Sequence, residues 1–473
     1  MKKIAIIGGG VAGVTTALAL SQKGLDITLF ERESSLVSGP PFCHLHAGGN
    51  LYREISDTQC VKLLKQSIDF ARFYPFVVDY RPTLIVLPTS DKSSPDALIP
   101  RLEMLSQEYQ KLIDKDAYNK VLGEVQNYYK LYSQEDMIQL KTQTIVKKPT
   151  TFDEWMIPVA KSLDFKSIQF PLVMVSEFGL NLFRLASGVR LAMEKSKQIN
   201  LKLNTTVSNI TQQNEGWLVD YEHSQEHFME SFDYIINAAG FRGGKVDDMV
   251  DAPCKGMVEF KSAYVSHCES YNDVAFPEII FHGERGTPQG MGQFTPYPDG
   301  YFQLHGMTQD ITLYSDGLVE STKVSCQPKL HASFIQKIEE AWSIEERDER
   351  TQRAIKHIAQ FIPNFTKAKV GAKPLFGAQQ IPGDDPTLRV AEVSFGLPHY
   401  ARCEIVKVSS AIDMVETIST NLQELGYIKN SIDSPIEIFE NLNERDIVKE
   451  AQKICVERDY PISLGNRTVE KLS

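Results

Sequence analysis

Ile4-Ala5-Ile6-Ile7-Gly8-Gly9-Gly10-Val11-Ala12-Gly13 stands near the start of the chain and decides its reading. Four apolar residues in a row read as a strand buried on both faces of a parallel sheet. Val11–Lys23, rich in Ala and Leu, reads as a helix, with Gly24 as its stop. Ile27-Thr28-Leu29-Phe30 is a second strand, and it ends in Glu31. Between strand and helix lies Gly8-x-Gly10-x-x-Gly13. Gly8 allows the tight turn, Gly10 lets a pyrophosphate approach the backbone, and Gly13 lets helix and strand pack closely. Val11 and Ala12 open the helix, whose N-terminus offers free N–H groups and a positive dipole to phosphates. Glu31 lies 18 residues beyond Gly13, where a carboxylate can accept bonds from ribose hydroxyls. The order strand, motif, helix, strand, acid specifies a dinucleotide site. The motif chemistry alone does not separate NAD from FAD.

Composition narrows the rest. The chain has 473 residues, 42% hydrophobic and 23% charged, which excludes a disordered or collagen-like whole and predicts two or three domains at roughly 100–200 residues each. Fifty basic against 61 acidic residues give a net charge of −11. No Lys/Arg-rich block forms a basic stripe, so no nucleic-acid partner is expected. The seven cysteines (43, 60, 254, 268, 326, 403 and 455) are odd in number and scattered. They are expected to be reduced thiols of a cytoplasmic protein. The glycines cut the first apolar run after four residues, and no stretch approaches the roughly 20 apolar residues of a membrane span.

Several stretches resemble one family. Glu31-Arg32-Glu33, a Ser-rich loop and Gly48-Gly49 resemble the FAD-binding start of the D-amino-acid oxidase superfamily. Asp233-Tyr234-Ile235-Ile236-Asn237-Ala238-Ala239-Gly240 is similar to the strand-and-glycine element that closes its FAD domain, and Thr206-Val207 to the strand whose valine backbone holds the adenine. Gln293–Gly306, with Pro298-Asp299-Gly300 as its turn, is similar to a substrate-domain hairpin. Gly371-Ala372-Lys373-Pro374, followed by Asp384-Asp385-Pro386, looks like the C-terminal signature of the family, with Lys373 in place of its arginine. The resemblance covers about residues 1–60 and 170–420. It implies an α/β fold in which an FAD-binding Rossmann-like domain is interleaved with an antiparallel-sheet substrate domain. A helical insertion and a C-terminal helical tail complete it.

The expected segments are 1–54, 166–252 and 366–424 for the FAD domain, with 253–365 as substrate domain. Residues 55–165 form a helical insertion and part of the substrate domain. Helical periodicity there covers Gln59–Phe73 and Asp96–Asp116, with a strand at Tyr80–Pro88. The insertion is compatible with a lid, although a leucine stripe more often packs as core. Residues 425–473 form a tail without recognisable chemistry.

The implied activity is FAD-dependent oxidation of a small amine, amino acid or 2-hydroxy acid by hydride transfer to flavin N5, as an oxidase or dehydrogenase. The electron acceptor would be oxygen, or a quinone or electron-transfer protein. Hydride transfer needs the donor carbon held near the ring and its heteroatom deprotonated. Lys373 and Arg285 are candidates to hold a carboxylate. His305 and Tyr301 alternate with Gln303 and share one strand face, so they are candidates for the substrate site. The segment Gly396–Ile412 lacks the glycines that would approach the flavin, and Arg402 or Lys407 would supply positive charge there instead. His46, in Cys43-His44-Leu45-His46-Ala47-Gly48-Gly49, aligns with a histidine that carries covalent FAD in dimethylglycine- and sarcosine-dehydrogenase relatives; a non-covalent flavin contact and a purely structural histidine are the other readings. No second ligand cluster accompanies it, so no metal is expected. Two alternatives remain. A flavin monooxygenase is disfavoured because Arg389–Phe395 lacks the late Gly-Asp signature. A non-catalytic FAD-binding protein would act through a partner on the acidic tail.

Overall fold

The computed structural model describes residues 1–39, 45, 55–386, 388, 393–429, 439 and 441–469. The first strand, β1 (Lys3–Ile7), is buried from Ile4 onward. It leads into helix α1 (Val11–Ser21), which is buried from Ala12 through Ser21. A helix apolar on all sides belongs in a protein interior. Here α1 packs between the helix Leu182–Lys195 and the helix Ala411–Glu424. The second strand, β2 (Asp26–Phe30), pairs in parallel with β1.

Those pieces seed a six-stranded sheet in the order Val393–Ser394, Tyr400–Cys403, Tyr234–Asn237, β1, β2, Ile199–Lys202. Every pair is parallel except the first. The strands come from three distant stretches of chain, as the interleaved reading expects. A three-stranded antiparallel meander (Thr205–Gln213, Gly216–His223 and Glu226–Phe232) follows Ile199–Lys202. It packs Trp217 and Tyr221 against Phe30 and Tyr400.

The second sheet is larger and largely antiparallel, organised around the long strand Gly256–His267. One neighbouring pair, Thr83–Val86 with Glu278–Phe281, is parallel. Phe276, Phe294, Phe302 and Phe365 interlock at its centre, with centroids 4.3 Å apart in the stacked Phe294–Phe302 pair.

The structure bears on three expectations. Residues 55–165 are built into the core. Thr83–Val86 and Tyr129–Tyr132 are strands of the large sheet, and Leu102 and Leu105 on the helix Ile99–Lys115 are fully buried. The leucine stripe packs as core, which removes the basis for a lid. Sheet membership also moves the segment limits. Leu172–Val175 pairs with Thr83–Val86, and Leu375–Pro382 pairs with Gly256–Ala263, so both belong to the large sheet rather than to the nucleotide sheet. Finally, Cys254 and Cys326 form a disulfide, their Cα atoms 5.6 Å apart. Cys60, Cys268, Cys403 and Cys455 are free and buried. Among the described residues, no helix is long and apolar enough to cross a membrane.

Candidate active site

The turn after β1 is shaped by contacts that only glycine permits. Gly8 has φ +107°, and a Cβ there would lie 2.5 Å from the Ala238 carbonyl oxygen. A Cβ on Gly13 would lie 1.9 Å from the Gly8 oxygen. At Gly10 the space is open, and Gly10 is the N-cap of α1 with no side-chain hydrogen bond capping it and no acidic residue in the first turn. The first N–H groups of α1 are therefore left for an external anion. Glu31 closes the turn from the other side: its Oε2 accepts from Gly9 N at 2.6 Å and its Oε1 from Glu33 N at 2.8 Å. Burial raises its carboxyl above the usual value, against the pull of those two N–H groups.

This turn opens into a cavity of about 1810 Å³, well above the roughly 300–1,000 Å³ of an ordinary small-ligand pocket. At one end the lining includes Gly8, Gly10, Val11, Ala12, Glu31 and Arg32, with Val207, Ala239 and Gly240 beside them. Gly13 serves the packing beneath. An uncapped helix N-terminus, a glycine cradle and a ribose-placed carboxylate fit a dinucleotide such as FAD. His46, Gly48 and Gly49 lie outside the described residues.

The other end is lined by the large sheet. Gln293 and His305 are direct cross-strand partners, so their side chains share a face. Both are buried and both line the cavity. Gln293 donates from its amide nitrogen to Glu278, and the fully buried Glu278 also pairs with Arg81 at 2.5 Å. Lys261 reaches Gln379 at 2.8 Å and Glu259 at 2.8 Å, and Arg285 pairs with the same Glu259. Burial opposes ionisation of Glu259, but the two cations outweigh it and hold the carboxyl below its usual value. Lys373 also lines the cavity, its ammonium 5.0 Å from the centre of the Tyr460 ring. Burial lowers its pKa.

Two expected residues are elsewhere. Tyr301 does not line the cavity. It stands four residues before His305 on the strand Tyr301–Gly306, about 13 Å away at the rise of an antiparallel strand, and its ring lies against His267 at 4.7 Å. Arg402 is likewise not among the lining residues. Its strand places it opposite Asn237, and its guanidinium is taken by the buried Asp247 at 2.8 Å and by Glu404 at 3.4 Å. Lys407 lines the cavity instead. The reading of the sequence missed Gln293 as a lining residue, although it lies on the quoted hairpin. It also missed Arg458 and Tyr460, which come from the tail. Among the described residues no group of His, Cys, Asp or Glu could hold a metal ion.

Fold and cradle together define a dinucleotide-binding architecture. Residues 3–135 match the DAO family model, described as FAD dependent oxidoreductase. The solved structures with this fold include a glycerol-3-phosphate dehydrogenase from Bacillus halodurans complexed with FAD. It is 12% identical with TM-score 0.58, covering 98% of this chain and 73% of that one. An L-alpha-glycerophosphate oxidase from Mycoplasma pneumoniae with FAD bound is 16% identical with TM-score 0.57, covering 93% and 98%. Glycine oxidase from Geobacillus kaustophilus is 11% identical with TM-score 0.51, covering 94% and 100%. A search of the curated proteins gives no match. The family match thus covers the nucleotide-binding start of the chain, and the fold over nearly its whole length is that of these FAD-bound enzymes.

Proposed function

We propose that the protein oxidises a small anionic amine or alcohol, either an amino acid or a 2-hydroxy acid. The observation that carries this reading is the single cavity joining the glycine cradle to a sheet face bearing His305, Gln293 and Lys261, with Arg285 and Lys373 at its wall. When bound, FAD supplies a hydride acceptor at N5. Gly8, Gly10 and the N-terminus of α1 would hold its diphosphate, and Glu31 its ribose.

Lys373 and Arg285 attract the substrate carboxylate. Of the two, Arg285 shares its charge with Glu259, so Lys373 is the stronger attractor. His305 takes the proton from the substrate hydroxyl or ammonium, which prepares the adjacent C–H bond for hydride loss. Gln293, held by Glu278, keeps its carboxamide in one orientation beside His305. The buried sheet face excludes water from the reacting carbon.

Anaerobic mixing of the FAD-loaded protein with a panel of amino acids, secondary amines and 2-hydroxy acids tests this. The expected result is bleaching of the flavin band by at least one acid and by none of the corresponding uncharged amines or alcohols. Bleaching by uncharged compounds only, or by none of the panel, overturns it.

A further inference from the structure

The strongest unassigned group is Arg458, which follows the C-terminal helix Glu444–Glu457. It stands in a segment where the sequence shows no chemistry, yet it lines the cavity together with Gly8, Gly10 and Val11. Its guanidinium donates to the Val37 oxygen at 3.1 Å, to Ser35 Oγ at 3.0 Å and to the Leu36 oxygen at 2.5 Å. All three acceptors are neutral. They lie on the loop after Glu31, which is itself bound to the turn through Val37 N and the Gly9 oxygen at 2.9 Å.

Other recessed arginines are each matched by a carboxylate: Arg81 by Glu278, Arg184 by Glu444 and Arg402 by Asp247. Among the described residues, Arg458 has none within ion-pair distance, and Glu457 and Glu31 act on it only from farther away. A recessed charge with only neutral partners is costly. The cost is recovered when an anion enters the cavity beside it. In the same cavity the fold builds an anion site at the open space of Gly10 and the uncapped N-terminus of α1, and the loop that Arg458 holds is bonded to that turn through Val37 and Gly9.

We propose that Arg458 is a cofactor-binding residue whose guanidinium neutralises the diphosphate of FAD, so that the C-terminal segment completes the nucleotide site. The proposal rests on the FAD reading, which wild-type affinities for FAD and ADP test separately. The three neutral hydrogen bonds fix the fork in position, and the diphosphate supplies the missing negative charge. Electrostatic contact with the diphosphate separates this role from a mechanical one: a clasp that only holds the 35–37 loop would affect adenosine as much as ADP.

The test measures affinities of the apoprotein for ADP and for adenosine by calorimetry, in wild type and in Arg458→Gln. The expected result is at least a tenfold fall in the ADP-to-adenosine affinity ratio, with a similar loss for FAD. A ratio changed by less than tenfold overturns the proposal, including the case where both ligands weaken equally. A second measurement needs no variant. Wild-type apoprotein treated with an arginine-directed dicarbonyl should be modified at Arg458, with protection by ADP and not by adenosine, read by peptide mass mapping. Equal protection by the two ligands, or by neither, refutes it.

Discussion

Arg402→Met isolates what the buried Asp247 costs when it is left alone. Asp247 has a side chain only 1% exposed, and it accepts from Arg402 Nε at 2.8 Å, Tyr400 Oη at 2.6 Å and Asn237 Nδ2 at 3.2 Å. Burial already holds its carboxyl above the ordinary 3.8, even with Arg402 beside it. Removing the arginine leaves two neutral donors for one buried charge, and such breaks cost about 3–5 kcal/mol. The carboxyl has an escape, however, because it can take up a proton. Protonation caps the loss at about 1.4 kcal/mol per pH unit over the distance from the ordinary carboxylate value to the working pH. The ceiling is then about 4 kcal/mol at pH 7 and below about 2 kcal/mol at pH 5. In the variant the folded-state pKa rises further, so the destabilisation is largest at neutral pH and shrinks as pH falls. At roughly 2 °C per kcal/mol for a large domain, about 3 kcal/mol lowers the melting temperature by about 6 °C at pH 7. Differential scanning fluorimetry at pH 7 and pH 5 reads both values. Asp247→Asn in the same background should recover most of the loss at pH 7. An equal loss at both pH values, or no recovery in the double variant, would refute the argument. The flavin band positions should stay those of wild type, since Arg402 does not line the cavity.

Two further outcomes follow from named contacts. Gly13→Ala places a methyl 1.9 Å from the Gly8 oxygen. The helix must retreat from the turn at a cost of about 1–3 kcal/mol, and FAD dissociation constants from fluorescence quenching should rise at least tenfold; an unchanged constant contradicts the cradle. His357, buried with its Nε2 3.0 Å from the Gly290 oxygen, has its pKa lowered from 6.5 by burial. The unfolded chain therefore binds the proton first, and stability present above pH 6.5 is lost as pH falls toward 5, by up to about 2 kcal/mol. His357→Gln should flatten that acid limb in urea titrations, and an unaltered slope would contradict it.

The nucleotide half was legible because its signals are local. Glycine spacing, apolar runs and a carboxylate at strand end are written within about thirty residues, and the structure places Gly8, Gly10, Val11, Ala12, Glu31 and Arg32 together around one cavity. The substrate half was legible only in part. His305 could be put on a strand face, but which end of the strand meets the cavity depends on how two sheets are set against each other. That separated His305 from Tyr301. Arg402 misled because its partner, Asp247, lies 155 residues earlier in the chain, and nothing around either residue announces the pair. Cys254 and Cys326, 72 residues apart, escaped for the same reason. Arg458 was hidden by its setting, an ordinary charged amphipathic helix end whose significance comes entirely from the loop it touches.

The strand order of the nucleotide sheet also has a consequence in time. β1 and β2 leave the ribosome first, but the strand between β1 and the far edge is Tyr234–Asn237, and its outer neighbour is Tyr400–Cys403. The sheet therefore waits for more than three quarters of the chain before its central strands are flanked on both sides. Until about half the chain has been made, the Gly8–Gly13 turn also lacks Ala238, the residue it packs against. Closing contacts of such sequence separation is slow because loop-closure entropy comes before the contacts that offset it. During synthesis the edge of β1, with four apolar residues, stays open until Tyr234–Asn237 arrives and is a strand edge in need of shielding. A nucleotide site built on this strand order is completed only after strands from distant parts of the chain have met.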